Sequence, residues 1–102
     1  MKFYKNLYIG STIKDAKKVK RKIIMNAGQL GIYVITLCKG RDQLEIYNSA
    51  YLQQKYYRKY PPYIIGIANG YDEAVEIVQQ IAMEAYECNG NCDLKKYILD
   101  RK

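Results

Sequence analysis

The chain has 102 residues, 49% of them hydrophobic and 26% charged, with a net charge of +7 and neither histidine nor tryptophan. That length suits one domain over residues 1–102, burying roughly 60 to 65% of its unfolded surface, and the charges are too evenly mixed with apolar residues for a disordered chain. Without histidine the commonest general base, the Ser-His and Cys-His nucleophile pairs and the commonest metal ligand are all missing, so a non-catalytic role with no cofactor and no metal is expected.

The opening MKFYKNLYIG lacks the roughly 7 to 15 residue apolar run of a signal peptide, and no segment approaches the about 20 apolar residues of a membrane span. Three cysteines cannot all pair internally, which fits a reducing compartment. A cytoplasmic protein without membrane contact is therefore expected. Abundant Lys, Ile, Tyr and Asn suggest low-GC coding and a bacterial or phage source.

In chain order, Phe3 to Ile9 reads as a strand with Phe3, Leu7 and Ile9 on one face and Tyr4, Asn6 and Tyr8 on the other. Gly10-Ser11-Thr12 breaks it, and Thr12 followed by Asp15 resembles a capping box, predicting a helix from there. At about 100° per residue, Ile13, Ala16, Val19, Ile23, Ile24 and Ala27 share an arc of about 140°, with Lys14, Lys17, Lys18, Arg21 and Lys22 opposite and Lys20 leaning out from the apolar side. Gly28 is the expected stop.

Ile32 to Cys38 is apolar on both faces, as a central strand covered on two sides would be. A turn over Lys39–Asp42 and an alternating strand from Gln43 to Asn48 complete a hairpin. The next stretch, YNSAYLQQKYYRKYPPY, holds six of the twelve tyrosines and both prolines, and predicts a short helix over Asn48–Lys55 followed by an ordered loop. Tyr63 to Ala68 is a second doubly apolar strand, in which Gly66 signals a close backbone approach. A helix from Tyr71 to Cys88 buries Ala74, Ile77, Val78, Ile81 and Ala85 and turns Glu73, Glu76, Gln80, Glu84 and Glu87 outward; a short helix, LKKYILD, ends the chain.

This order predicts an α+β domain with a four-stranded mixed sheet, β-α-β-β-β-α plus a short C-terminal helix, with the helices on one face. The alternative, a ferredoxin-like βαββαβ fold, needs Tyr97–Asp100 to be a closing strand.

Charge is distributed unevenly. Up to Arg41 there are ten basic residues against the single acid Asp15, net +9; from Asp42 onward there are seven against nine, net −2. An anionic partner, most plausibly nucleic acid, is expected on Lys14, Lys17, Lys18, Arg21 and Lys22, helped by Arg58 and Lys59. Tyr51, Tyr56, Tyr57 and Tyr60 are candidate interface residues, although in a chain without tryptophan several tyrosines must also serve as packing. The alternative is a homodimer or protein-interaction module using the acidic second helix and the tyrosine-rich segment.

Weaker signals compete with plain structural roles. Gly10-Ser11-Thr12 could present backbone N–H groups to a phosphate, but it lacks the G-x-x-x-x-G-K-[ST] spacing and turns of this kind also serve capping alone. Cys88 and Cys92 have the spacing of a small disulfide loop, with two ordinary thiols as the simpler reading. No small-molecule substrate is inferred.

Overall fold

The structure is a computed structural model that describes residues 2–25, 29, 31–37, 44–90 and 94–100, without the side chains of Arg58, Asn89 and Asp100. Its elements are β1 (Lys2–Ile9), α1 (Ala16–Ile24), β2 (Ile32–Leu37), β3 (Leu44–Asn48), a 3-10 turn (Ser49–Gln53), α2 (Lys55–Lys59), β4 (Tyr63–Asn69), α3 (Tyr71–Asn89) and α4 (Leu94–Asp100). The α+β class, the four-stranded mixed sheet and the order of strands and main helices follow the sequence-based expectation, with α2 added between β3 and β4. The ferredoxin-like alternative is not adopted, because its closing strand would fall on α4, which is helical.

Strand order is β1-β4-β2-β3, with β1 parallel to β4 and β2 antiparallel to both β4 and β3. The two doubly apolar strands, β4 and β2, thus occupy the centre. Their side chains alternate between two cores. Val34, Ile64 and Ile67 face one way with Ile23 of α1 and Leu52 of the 3-10 turn, while Ile35, Ile65 and Ala68 face the other way with Ala74, Ile77, Ile81 and Ala85 of α3 and Tyr97 and Ile98 of α4.

The helices therefore do not share one face, and the expectation that they do is corrected. α1 packs on one side of the sheet, α3 and α4 on the other. Each fully buried Ile or Val is worth about 1.5 to 3 kcal/mol, so exposing Val34, Ile64 and Ile67 would cost an amount comparable with the roughly 5 to 15 kcal/mol net stability of a domain. Two apolar faces on the central strands require two covering layers.

Gly66 lies where β4 is squeezed between its neighbours, opposite Tyr8 on β1 and Ile35 on β2. A Cβ there would meet Ile35 Cδ1 at 2.9 Å and the Tyr8 carbonyl oxygen at 3.4 Å. This is the close approach that the glycine signalled. The register shifts on both sides of this point, and between the pairs Phe3–Ile64 and Tyr8–Gly66 strand β1 bulges away.

Candidate functional site

The start of α1 differs from the capping-box reading. Asp15 rather than Thr12 is the N-cap, its Oδ1 accepting the Lys18 N–H at 3.0 Å, and the helix proper begins at Ala16. From there the apolar stripe, chiefly Ala16, Val19 and Ile23, docks on Phe3, Leu7, Val34, Ile64 and Ile67. Lys20 emerges from this stripe with its ammonium 5.1 Å from the centre of the Phe3 ring.

Docking the stripe turns the basic arc outward. Lys14, Lys17, Lys18 and Arg21 are exposed and Lys22 is half-buried, and no ion pair joins any of the five to a carboxylate among the described residues. The acidic helix α3 lies across the sheet. Outer faces of helices on opposite sides of a sheet are separated by more than two helix diameters, roughly 20 Å, which exceeds the Debye length of about 8 Å at physiological salt. The exposed acids of α3 are thus remote from the α1 arc, while Glu73 in its first turn reaches round to the Thr12 turn at the start of α1.

Lys14, Lys18 and Lys22 also line one wall of a shallow depression of about 340 Å³, together with Thr12, Gln29 and Asn69. It opens beyond the C-terminal ends of the parallel strands β1 and β4, where the chain leaves β1 toward α1 and leaves β4 toward α3 on the other face. Open sheets tend to bind ligands at such divergence points. Asp15 is the acid lining it, and its carboxylate is engaged in the helix cap.

The Gly10–Thr12 turn is closed to a phosphate, because a side chain of the protein already fills it. Glu73 Oε2 accepts the Thr12 hydroxyl at 2.6 Å and the Thr12 N–H at 3.3 Å, while Oε1 accepts the Asn69 N–H at 2.9 Å. Partial burial opposes ionisation of Glu73, but these three donors outweigh it and hold the carboxyl below its ordinary range. Any Cβ on Gly10 would overlap the Glu73 carboxylate.

Glu84 is likewise not part of a plain solvated arc. Its Oε1 accepts the Tyr8 hydroxyl at 2.7 Å and the Tyr97 hydroxyl at 3.1 Å, and its Oε2 accepts the Gln80 amide at 3.0 Å. Burial, then the bond to Glu84 and its negative charge, push the Tyr8 hydroxyl far above the usual tyrosine range. Asp72, Glu76 and Glu87 remain exposed on α3, beside the exposed Met83 and Tyr86.

The tyrosine-rich segment forms the 3-10 turn, capped by Asn48 Oδ1 on the Ala50 N–H, and then α2, where a loop had been expected. Leu52 and Tyr57 anchor it to the α1-side core. Ring contacts run Tyr51–Tyr47–Tyr57–Tyr56–Tyr60 with centroid separations of 5.1 to 6.5 Å. Of the four interface candidates, Tyr51, Tyr56 and Tyr60 are exposed and Tyr57 is half-buried. Lys59 is exposed, with its ammonium 5.7 Å from the Tyr60 ring centre, and Arg58 sits on α2 with its side chain outside the described residues.

Where β2 ends and β4 begins, this segment encloses a cavity of about 400 Å³, walled by Tyr47, Tyr56, Tyr57, Tyr60 and Pro62 and reached by Lys95 of α4. Thr36 and its cross-strand partner Glu45 also line it. Thr36 is 1% exposed and its Oγ1 has no hydrogen-bond partner among the described residues. Sequence reading missed this residue, whose signal was a threonine inside the otherwise aliphatic and aromatic run IYVITL.

Cys88 is exposed on α3, whereas Cys38 and Cys92 lie outside the described residues, as do the Gly28 stop and the Lys39–Asp42 turn. No helix among the described residues is long and apolar enough to cross a membrane. Comparison with family models, curated proteins and solved structures finds no match to this chain.

Proposed function

We propose that this domain is a non-catalytic binding module that holds nucleic acid by its phosphates along the outer face of α1. The observation that carries the reading is the exposed arc of Lys14, Lys17, Lys18 and Arg21, with Lys22 at its edge, which no described carboxylate neutralises and which the sheet separates from the acidic α3. Lysine dominates this face, and its compact charge suits backbone contact better than bidentate base reading. Lys59 is exposed on α2, a helix whose Tyr57 packs in the same core as α1.

A gel shift at low salt with single- and double-stranded probes tests the proposal. Binding that the paired substitutions Lys18→Glu and Arg21→Glu abolish is expected; a chain that shifts neither probe refutes it.

A second reading, a homodimer or protein-interaction module, draws support from Met83 and Tyr86, which are 65% and 61% exposed on α3 and border a shallow apolar depression. Light scattering across protein concentration separates the two. Under the nucleic-acid reading the chain alone stays monomeric.

A further inference from the structure

We infer that the tyrosine-walled cavity takes one unstacked base of a single-stranded nucleic acid, recognised through Thr36. This rests on the phosphate-binding reading of α1.

Three observations converge on it. The cavity, about 400 Å³, falls within the range of small-ligand sites, and its walls are flat: the rings of Tyr56, Tyr57 and Tyr60 and the face of Pro62. Flat aromatic walls select a planar guest, because stacking gains most when faces overlap. At the inner surface lies the buried Thr36, whose hydroxyl can both donate and accept and has no partner among the described residues. A purely apolar guest would leave that group unsatisfied, whereas the hydrogen-bonding edge of a heterocyclic base would pair with it.

Glu45 and Lys95 line the cavity itself, and further cations lie on the neighbouring helix. Lys55 and Lys59 are exposed on α2, the helix that carries the wall residues Tyr56 and Tyr57. The segment packs on the same side of the sheet as α1. A strand laid along the basic arc could continue past α2 with its phosphates against lysines and one base turned inward. A duplex could not follow this path without unpairing, so the site favours single strands.

The test compares fluorescein-labelled oligothymidylate of roughly 12 nucleotides, within the span of known single-strand sites, with an abasic strand of the same phosphate count. Anisotropy is read with the natural chain, Thr36→Val and Tyr60→Ala. Tyr60 is about half exposed, so its removal leaves the fold intact. The intact strand is expected to bind about tenfold more tightly than the abasic one, the usual scale of one stacked base. Both substitutions should shrink that difference while leaving abasic binding unchanged.

Equal binding of the two strands, with both still weakened by Lys18→Glu and Arg21→Glu, would overturn the base pocket and leave the α1 reading standing. Unaltered binding of the intact strand by Thr36→Val would overturn it too. Failure of either strand to bind at low salt would remove both.

Discussion

The Glu73 carboxylate accepts the Thr12 hydroxyl at 2.6 Å, joining the first turn of α3 to the turn that launches α1, 61 residues earlier. With the Asn69 N–H also bonded to it, one side chain ties together the ends of β1 and β4 and sets how the two helices leave the sheet on opposite faces. It also fills the turn whose N–H groups would otherwise face a phosphate, so the proposed binding falls to the outer face of α1.

Replacing Glu73 by Ala should destabilise the fold by about 1 to 2 kcal/mol, the scale of lost hydrogen bonds to a charged group that solvent can partly replace. The effect is pH-dependent. Since the folded carboxyl is held below its ordinary value of 4.5, its contribution is complete above that pH and is lost as pH falls through the folded value. Urea denaturation from pH 7 to pH 3 should show Glu73→Gln losing less stability on acidification than the natural chain. Parallel curves would exclude the role given to Glu73.

Gly10→Ala should cost about 1 to 3 kcal/mol, as overpacking does, because the new methyl overlaps the Glu73 carboxylate. In the Glu73→Ala background that clash is gone. A double-mutant cycle on thermal unfolding should therefore show strong coupling between the two positions, and simple additivity would argue against the contact.

Tyr8→Phe should weaken the fold by about 1 to 2 kcal/mol through loss of the bond to Glu84. Burial, the Glu84 bond and the Glu84 charge raise the folded pKa above the ordinary 10.0, so the contribution of Tyr8 is complete below pH 10 and disappears as pH rises beyond it. Denaturation midpoints between pH 8 and pH 11 should accordingly fall less steeply for Tyr8→Phe than for the natural chain.

Thr36→Val keeps the shape and removes an unpaired buried hydroxyl, so the ligand-free protein should be unchanged or more stable by up to about 1 kcal/mol. A large loss of stability on chemical denaturation would mean that the hydroxyl has a structural role.

Much of this architecture was legible in local pattern. Both doubly apolar runs became central strands, Ile13, Ala16, Val19 and Ile23 docked as their spacing implied while Ile24 of the same arc is exposed, and Gly66 marked a crowded backbone. Those same two runs already required cover on both sides, and it was the assignment of all helices to one face that ignored it. What sequence concealed was non-local. The parallel pairing of β1 with β4 joins distant segments, and Glu73 and Glu84 looked like members of one solvated acidic arc because their partners, Thr12, Tyr8 and Tyr97, lie on other elements. The basic residues of α1 were visible from spacing alone. Their exposure depended on the strand order.

The most direct test of the binding face is the salt dependence of single-strand affinity. Five phosphates neutralised by Lys14, Lys17, Lys18, Arg21 and Lys22 would give a slope of log K against log salt of about −3.5, and removing two of those contacts through Lys18→Ala and Arg21→Ala should reduce it to about −2. A slope near zero, or one that the two substitutions leave unchanged, would contradict the assignment of α1 as the nucleic-acid face.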